Sequence, residues 1–425
     1  MEHGQMTDGK KTILFVMPRL PFPASSGRKT SLYHYCRILS NELGCRLVVA
    51  AFLESGDDPS QKPDFIDRLE ILPKPSVKEK LFNILSKSLI KKQFPLQVSL
   101  YLSGEAKKSV DKLIVEERPD IVIGDMVRST EYIRDADTYT VADLDDRISL
   151  RYKRQLETDI DGINPYGAFL GTVPGFLRKL MLLKPVKLAV VKNEISLLNK
   201  YELEVGKACD ATVFVAEKEA REFNRELGEE KAVAVPIGVD TDYFHYRECG
   251  NEEDIIGFLG AMSVAHNENA AKHFIEDIFP TVLEQVPNAQ FMVIGGGASE
   301  ELKSLSSEHV IFTGRVDDVR DYLEKCKVFV CPMKFGSGIK TKNLEAMAIG
   351  LPVVTTSIGA ENIDARDGVE WIVEDDDKRL AEQIVSLVLD SGRRIQMGKR
   401  ASVFIDNSFT WFIAKEMLNR IILRI

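Results

Sequence analysis

At 425 residues the chain is longer than one hydrophobic core comfortably serves, so two domains of about 200 residues each are expected. Its 44% hydrophobic and 28% charged content is ordinary for a soluble globular protein, and a net charge of −9 argues against general nucleic-acid binding, which draws on a basic face. Cys36, Cys45, Cys209, Cys249, Cys326 and Cys331 form no C-x-x-C pair, Met1-Glu-His-Gly-Gln-Met6 lacks the basic-then-apolar start of a signal peptide, and no uncharged apolar run reaches about 18 residues; the expectation is a cytoplasmic protein with reduced thiols, at most peripheral on the inner face of a membrane.

Thr12-Ile-Leu-Phe-Val-Met17 reads as the first strand. A Pro/Gly/Ser loop from Pro18 to Arg28 follows, and then an amphipathic helix from Thr30 to Leu43. Residues 46–52 and 68–72 predict two further strands, 107–117 a helix that stops at Arg118-Pro119, and 120–124 and 139–142 two more strands. Strands alternating with helices imply a parallel, doubly wound sheet. Ligands bind such sheets where strand ends meet loops. The Gly27 loop, Asp125-Met-Val-Arg128 and Asp143-Leu-Asp-Asp146 each follow a strand and are expected along one edge.

Two segments stand out against the acidic background. Residues 78–92 place Leu81, Phe82, Leu85, Leu89 and Ile90 among five lysines, and residues 176–192 mix Leu, Met and Val with Arg178, Lys179, Lys184, Lys187 and Lys192. Basic amphipathic segments of this kind suit an anionic membrane surface. Ordinary domain helices with solvated lysines are the other reading.

Strands at 210–215 and 232–235 close the first half, Pro236-Ile-Gly-Val-Asp240 is a turn, and the polar stretch 245–254 is a linker. A second series of strands follows at 255–259, 290–294, 309–312, 328–331, 353–356 and 371–373. The expected organisation is α/β, with a Rossmann-like domain over 1–245 and a second over 246–408. The amphipathic helix 409–425, carrying Trp411, Phe412, Met417 and Leu418, is expected to complete the first.

The stretch with the most chemistry is Pro332-Met-Lys-Phe-Gly-Ser-Gly-Ile-Lys-Thr-Lys-Asn-Leu-Glu-Ala-Met347, set between a buried strand and a helix. Glycines let a ligand approach the backbone, and free N–H groups at a helix start attract anions. Lys340 and Lys342 add positive charge there, and Glu345, one turn into the helix, is placed to accept hydrogen bonds from hydroxyls near a bound phosphate. Phosphate beside a sugar diol describes a nucleotide. A surface loop with solvated lysines is the competing reading.

With Arg118-Pro-Asp-Ile-Val122, Val235-Pro-Ile-Gly-Val-Asp240, Gly314-Arg-Val316 and Leu344-Glu-Ala-Met-Ala-Ile-Gly-Leu-Pro-Val-Val354 in order, the chain resembles the family 4 (group 1) retaining glycosyltransferases along almost its whole length. Its details look most like the sugar transferases of bacterial exopolysaccharide clusters. The resemblance implies the GT-B fold, two Rossmann-like domains facing across a cleft, with a nucleotide-sugar donor on the second and a glycan or lipid-linked acceptor on the first. It implies that Glu345 holds the ribose hydroxyls, that Gly314, Arg315 and Val316 frame the base, and that Gly27 approaches the diphosphate or the transferred sugar. It also implies front-face attack, in which the leaving phosphate takes the acceptor proton and no protein nucleophile is needed.

Three positions depart from that pattern. The family's usual glutamate falls on Ser337, which turns attention to backbone N–H groups of Ser337, Gly338 and Ile339 as contacts to the transferred sugar. The usual Arg and Lys fall on Ala261 and His266, which leaves Lys340 as the candidate charge on the departing diphosphate. The first-domain histidine falls near Asp125, which would orient the sugar or acceptor, or else cap a helix. Asp143-Leu-Asp145 has the form of a D-x-D metal motif, but in the domain expected to hold acceptor, so no metal is expected and Asp143, Asp145 and Asp146 are left to meet acceptor hydroxyls or cap the next helix. No cofactor beyond the donor is expected. Gly295-Gly-Gly297 lacks the spacing of a nicotinamide site, and His266 and His273 lack companion ligands. A nucleotide-sugar epimerase or hydrolase of the same fold, and a non-catalytic nucleotide-sugar-binding protein, are the competing readings.

Overall fold

The computed structural model describes residues 10–24, 27–158, 163–248, 253–336 and 338–424. The chain divides into two compact units, one of residues 1–237 with 412–425, the other Gly238–Trp411. Each is built on a parallel sheet whose central strands are short, mostly apolar runs buried on both faces, as crossover helices require, while the edge strands Arg68–Ile71 and Val310–Gly314 are only partly buried.

In the first unit the strands are β1 (Thr12–Met17), β2 (Arg46–Ala51), β3 (Arg68–Ile71), β4 (Ile121–Asp125), β5 (Tyr139–Asp145), β6 (Ala211–Phe214) and β7 (Ala232–Ala234). They lie in the order β3-β2-β1-β4-β5-β6-β7, so the winding reverses between β1 and β4. There the loops after β1 and β4 diverge to opposite faces and leave room for side chains and ligands. β5 runs past the predicted end at residue 142, because a register shift between Asp143 and Asp145, with Asp145 at φ +66°, keeps Asp143-Leu-Asp145 in the sheet.

The second unit carries β8 (Ile255–Leu259), β9 (Gln290–Ile294), β10 (Val310–Gly314), β11 (Val328–Cys331), β12 (Val353–Thr355) and β13 (Ile372–Val373). Their order, β10-β9-β8-β11-β12-β13, puts the reversal between β8 and β11. Both sheets are doubly wound and Rossmann-like, the architecture the sequence predicts. The helix Ser391–Ser408 crosses the end of the helix Thr341–Ala348 at glycine distance: a Cβ on Gly398 would stand 1.9 Å from the Gly350 carbonyl oxygen. That close approach fixes the shorter helix, and with it the loop that leads into it.

The sequence places the junctions at 245/246 and 408/409, whereas residues 238–248 pack with the second unit. Val239 bridges Thr410, Arg247 N–H donates to the Ile349 carbonyl at 3.0 Å, and the Arg320 guanidinium lies 3.7 Å from the Tyr243 ring centroid. Backbone and cation–π contacts thus hold the segment from the turn at 236–240 to the start of the polar linker. The helix Trp411–Ile422 buries Ala414, Leu418, Ile421 and Ile422. The last three line a small apolar cavity with Phe15 and Tyr35 of the first unit's core, and Lys11 Nζ donates to the Ile422 carbonyl at 2.7 Å.

Candidate functional site

Four loops at the C-terminal ends of β8, β9, β10 and β11 converge in the second unit. The β8 loop is held by Gly260 N–H donating to Ile294 O at 3.0 Å and Met262 N–H donating to Gly296 O at 2.8 Å. Gly295 (φ +126°) comes so near Gly260 that a Cβ would be 2.1 Å from its carbonyl oxygen. The glycine triplet therefore works by close packing of two loops. Gly295 also bridges Gly314, and a Cβ on Gly296 would meet Arg315 at 3.3 Å, which brings the end of β10 against the same loop pair. Gly314 has φ +68° with open space on its Cβ side, Arg315 is exposed and Val316 half-buried.

The β11 loop supplies the charge. Lys340 ends in extended backbone immediately before the helix Thr341–Ala348, its side chain is buried, and Nζ donates to the Gly338 carbonyl at 2.7 Å. Lys342, two residues on, crosses to the β8 loop. Its Nζ donates to Asn267 Oδ1 at 2.6 Å, lies 4.5 Å from the Phe258 ring centroid, and is 3.0 Å from where a Cβ on Gly260 would be. Asn267 is held in turn by donating to the Ala261 carbonyl at 3.0 Å. The loop in which Ala261 and His266 replace the expected cations thus receives a cation from a different element. His266 does not supply it: burial first, then Lys342 and Lys340, lower its pKa to about 4 and keep it neutral near pH 7. Its ring faces Gly336, whose φ of +119° suits glycine.

Glu345 lies on the first turns of the same helix, partly accessible at its surface. Burial pushes its carboxyl up to about 7, and Lys342 opposes that shift. Gly338 N–H donates to Glu361 Oε2 at 2.8 Å. The loop amide that the sequence offers to the transferred sugar therefore already has a carboxylate partner, reached from beyond β12. Ser337 lies outside the described residues, and Ile339 is half-buried beside Lys340.

In the first unit Gly27 opens the helix Gly27–Arg37 with open space on its Cβ side. Its neighbour Arg28 is the residue that sequence reasoning missed. Arg28 Nη2 stands 2.5 Å from Asp125 Oδ1 and 2.7 Å from Asp143 Oδ2, and Nη1 stands 3.0 Å from Asp145 Oδ1. Asp125 precedes a short helix but makes no side-chain cap, and Asp143 and Asp145 are likewise turned to Arg28. Asp146 pairs with Arg151 at 3.0 Å. Burial disfavours the Arg28 charge, but the three carboxylates outweigh it and hold the guanidinium ionised. Burial also pushes Asp125 up and takes Asp143 to about 6, while Arg28 opposes both. Asp125 Oδ2 is buried without a hydrogen-bond partner. Among the described residues no group of three or more His, Cys, Asp or Glu is arranged to hold a metal ion. His273 pairs with Asp277 at 2.8 Å and with Asp377 at 3.0 Å.

The basic amphipathic segments are helical and carry exposed apolar side chains. Phe82 is 67% and Ile90 78% exposed on the segment Val77–Ile90, and Phe176 is 73% exposed on the helix Gly175–Met181. No described helix is long and apolar enough to cross a membrane.

Residues 253–390 match the family described as "Glycosyl transferases group 1". The chain is 25% identical over 241 residues to the GDP-mannose-dependent monoacylated alpha-(1-6)-phosphatidylinositol monomannoside mannosyltransferase of Corynebacterium glutamicum, covering 52% of this chain and 63% of that protein. It is 22% identical over 215 residues to an uncharacterized 44.6 kDa protein in the cps region of Klebsiella pneumoniae, covering 48% of this chain and 54% of that one. The chain thus spans about half the length of the curated relatives it matches. Among solved structures it is similar to sucrose-phosphate synthase from Thermosynechococcus elongatus, with TM-score 0.65, 13% identity and coverage of 98% of this chain and 99% of that one. Anabaena Alr3699/HepE in complex with UDP gives TM-score 0.61, 12% identity and coverage of 97% and 100%. These likenesses establish the fold, two Rossmann-like domains of the GT-B architecture.

Proposed function

We propose that this chain, whose residues 253–390 belong to the glycosyl transferases group 1 family, transfers a sugar from a nucleotide-diphosphate sugar to a glycan or lipid-linked acceptor. The transfer retains configuration, uses no metal and serves exopolysaccharide synthesis, which the resemblance to transferases of exopolysaccharide clusters supports. The observation that carries it is the crossing of Lys342 to the β8 loop, beside Lys340 and Glu345 at the same helix start, at the winding reversal of the second sheet. A helix start with two cations suits a diphosphate, and a carboxylate one turn on suits a ribose diol. Gly314, Arg315 and Val316, at the end of β10, frame the base. Lys340 and Lys342 stabilise charge on the leaving diphosphate as the glycosidic bond breaks, and that phosphate takes the proton of the attacking acceptor hydroxyl. Gly27 keeps the role the resemblance implies, a close backbone approach to the diphosphate or the transferred sugar, and Asp125 acts through Arg28, whose guanidinium it positions. Calorimetry with UDP- and GDP-sugars, followed by product analysis with and without EDTA, tests the reading. Binding of one donor with slow hydrolysis, insensitive to chelation, is the expected result. Release of an isomerised sugar would move the assignment to an epimerase.

A second reading has its own observation. Neutral His266 and apolar Ala261 stand where the resemblance implies cations, so donor binding without hydrolysis or transfer would assign the chain as a nucleotide-sugar-binding protein.

The exposed apolar residues within 78–92 and 176–192, interleaved with lysines and Arg178, support peripheral docking on an anionic membrane surface. In flotation assays the chain is expected to rise with vesicles containing anionic lipid and to remain below with neutral ones, and added salt is expected to release it. Equal binding to neutral vesicles would remove the electrostatic part of this docking.

A further inference from the structure

We propose that a cavity in the first unit, beside the C-terminal ends of β1 to β3, binds an acceptor that carries a phosphate group joined to an apolar chain. The proposal rests on the reading of this unit as the acceptor side and names the acceptor's chemistry.

The cavity holds about 400 Å³ and is lined by aromatic side chains, Tyr101, Tyr166 and Phe169 among them, and by Lys74, Lys80 and Arg128. Its size suits a headgroup with the first part of a tail. Lys74 and Lys80 have no ion-pair partner among the described residues, and burial together with the Lys74 charge lowers the Lys80 pKa. Arg128 is aimed by neutral groups: Nε and Nη2 donate to Gln97 Oε1 at 3.0 and 2.7 Å, and the guanidinium lies 5.2 Å from the Tyr101 ring centroid. Gln97 is itself locked by donating to Tyr152 Oη at 3.0 Å and to Pro165 O at 3.2 Å. Glu54 is the carboxylate on this lining, and it lies within 3.9 Å of Arg19 and 3.8 Å of Lys29, so it does not offset the three cations. Lys74 and Lys80 repel one another, Arg128 adds a third cation to the same lining, and an anionic guest relieves that repulsion.

The apolar half of the ligand follows from continuity. Lys80 belongs to the helix Val77–Asn83, whose neighbouring Leu81 and Phe82 are exposed, and Leu85, Leu89 and Ile90 extend the apolar surface along the same segment. A phosphate held by Lys74, Lys80 and Arg128 therefore has an apolar path for its chain. Free phosphate would use the cations and leave the aromatic lining unused. A neutral amphiphile would do the reverse.

The test is calorimetry on the full chain with three probes: decyl phosphate, inorganic phosphate and decyl glucoside. Decyl phosphate is expected to bind at least about tenfold tighter than either other probe, and Lys74→Ala and Lys80→Ala are each expected to weaken it about tenfold, the scale of one charge-assisted hydrogen bond. Inorganic phosphate binding equally well would overturn the apolar part, and decyl glucoside binding equally well would overturn the phosphate part. Unchanged affinity in both lysine variants would remove the site from this cavity. Nucleotide-sugar binding is measured in the same variants. Loss of decyl phosphate with donor binding intact supports the site, and donor binding without any decyl phosphate binding overturns it while leaving the transferase reading in place. Decyl phosphate bound in a chain that takes no donor would overturn the transferase reading and leave the cavity assignment standing.

Discussion

Lys342→Ala is expected to cut donor turnover by about a hundredfold or more, the scale seen when one preorganised group that stabilises developing charge is lost. Lys342 is held by Asn267, by the Phe258 ring and by the end of β8, so its position is fixed before a ligand arrives; burial lowers its pKa, which a bound anion would oppose. A fixed cation needs little reorganisation when the diphosphate departs, and its removal is not compensated by neutral His266. The same substitution carries a second readout. Lys342 holds the Glu345 carboxyl down against burial, so without it the Glu345 pKa rises above about 7. Nucleotide affinity that depends on ionised Glu345 then moves its pH midpoint upward, and Glu345→Gln abolishes that pH dependence. Lys340→Ala is also expected to lose turnover, since Lys340 closes the loop by donating to Gly338 O and brings a second cation to the helix start. Near-normal turnover in either lysine variant, with folding intact by circular dichroism, would remove that lysine's role.

Arg28→Ala is expected to have the largest effect on stability. It removes the cation shared by Asp125, Asp143 and Asp145 and leaves buried carboxylates facing one another, a change that costs about 3–5 kcal/mol when a buried pair is broken. The pH dependence follows from the same charges. In the native protein Asp143 is already raised to about 6, so its ionisation opposes folding and the associated stability is lost as pH rises from its ordinary range through about 6. Without Arg28 the raising influences of burial and like charge act unopposed, the folded state binds more protons than the unfolded one over a wider range, and the variant's deficit grows with pH. Urea denaturation at about pH 5 and about pH 8 measures this, with the larger loss expected at the higher pH. Addition of Asp143→Asn to Arg28→Ala is expected to recover part of the loss. A deficit independent of pH would show that Arg28 acts through packing and not through charge.

Much of the architecture is legible in the chain. Thr12–Met17, Ile255–Leu259, Gln290–Ile294 and Val328–Cys331 are strands with the bounds their apolar runs predict, because a strand buried on both faces is a local hydrophobic signal ended by Gly, Pro or charge. The helix after Lys340 and the glycine-rich loop before it are equally local. What reads less well is β5, where a bulge with Asp145 at φ +66° carries the acidic triplet into the sheet, and residues 238–248, read in sequence as the end of a turn and the start of a polar linker but held by aromatic and backbone contacts.

The sequence by itself therefore determined two doubly wound sheets and the position of the glycine-rich loop with its lysines, since each depends on periodicity, turn residues and short spacings. Tertiary structure alone decided the pairings. Arg28 meets Asp125 and Asp145 across 97 and 117 residues, Lys342 meets Asn267 across 75, and Gly338 meets Glu361 across 23. No local pattern records which charge will face which, because that follows from strand order: parallel winding brings the ends of β1, β4 and β5 together in one sheet and those of β8 and β11 together in the other. The lysine and the acidic triplet were visible in the chain, and the fold set which partners they have.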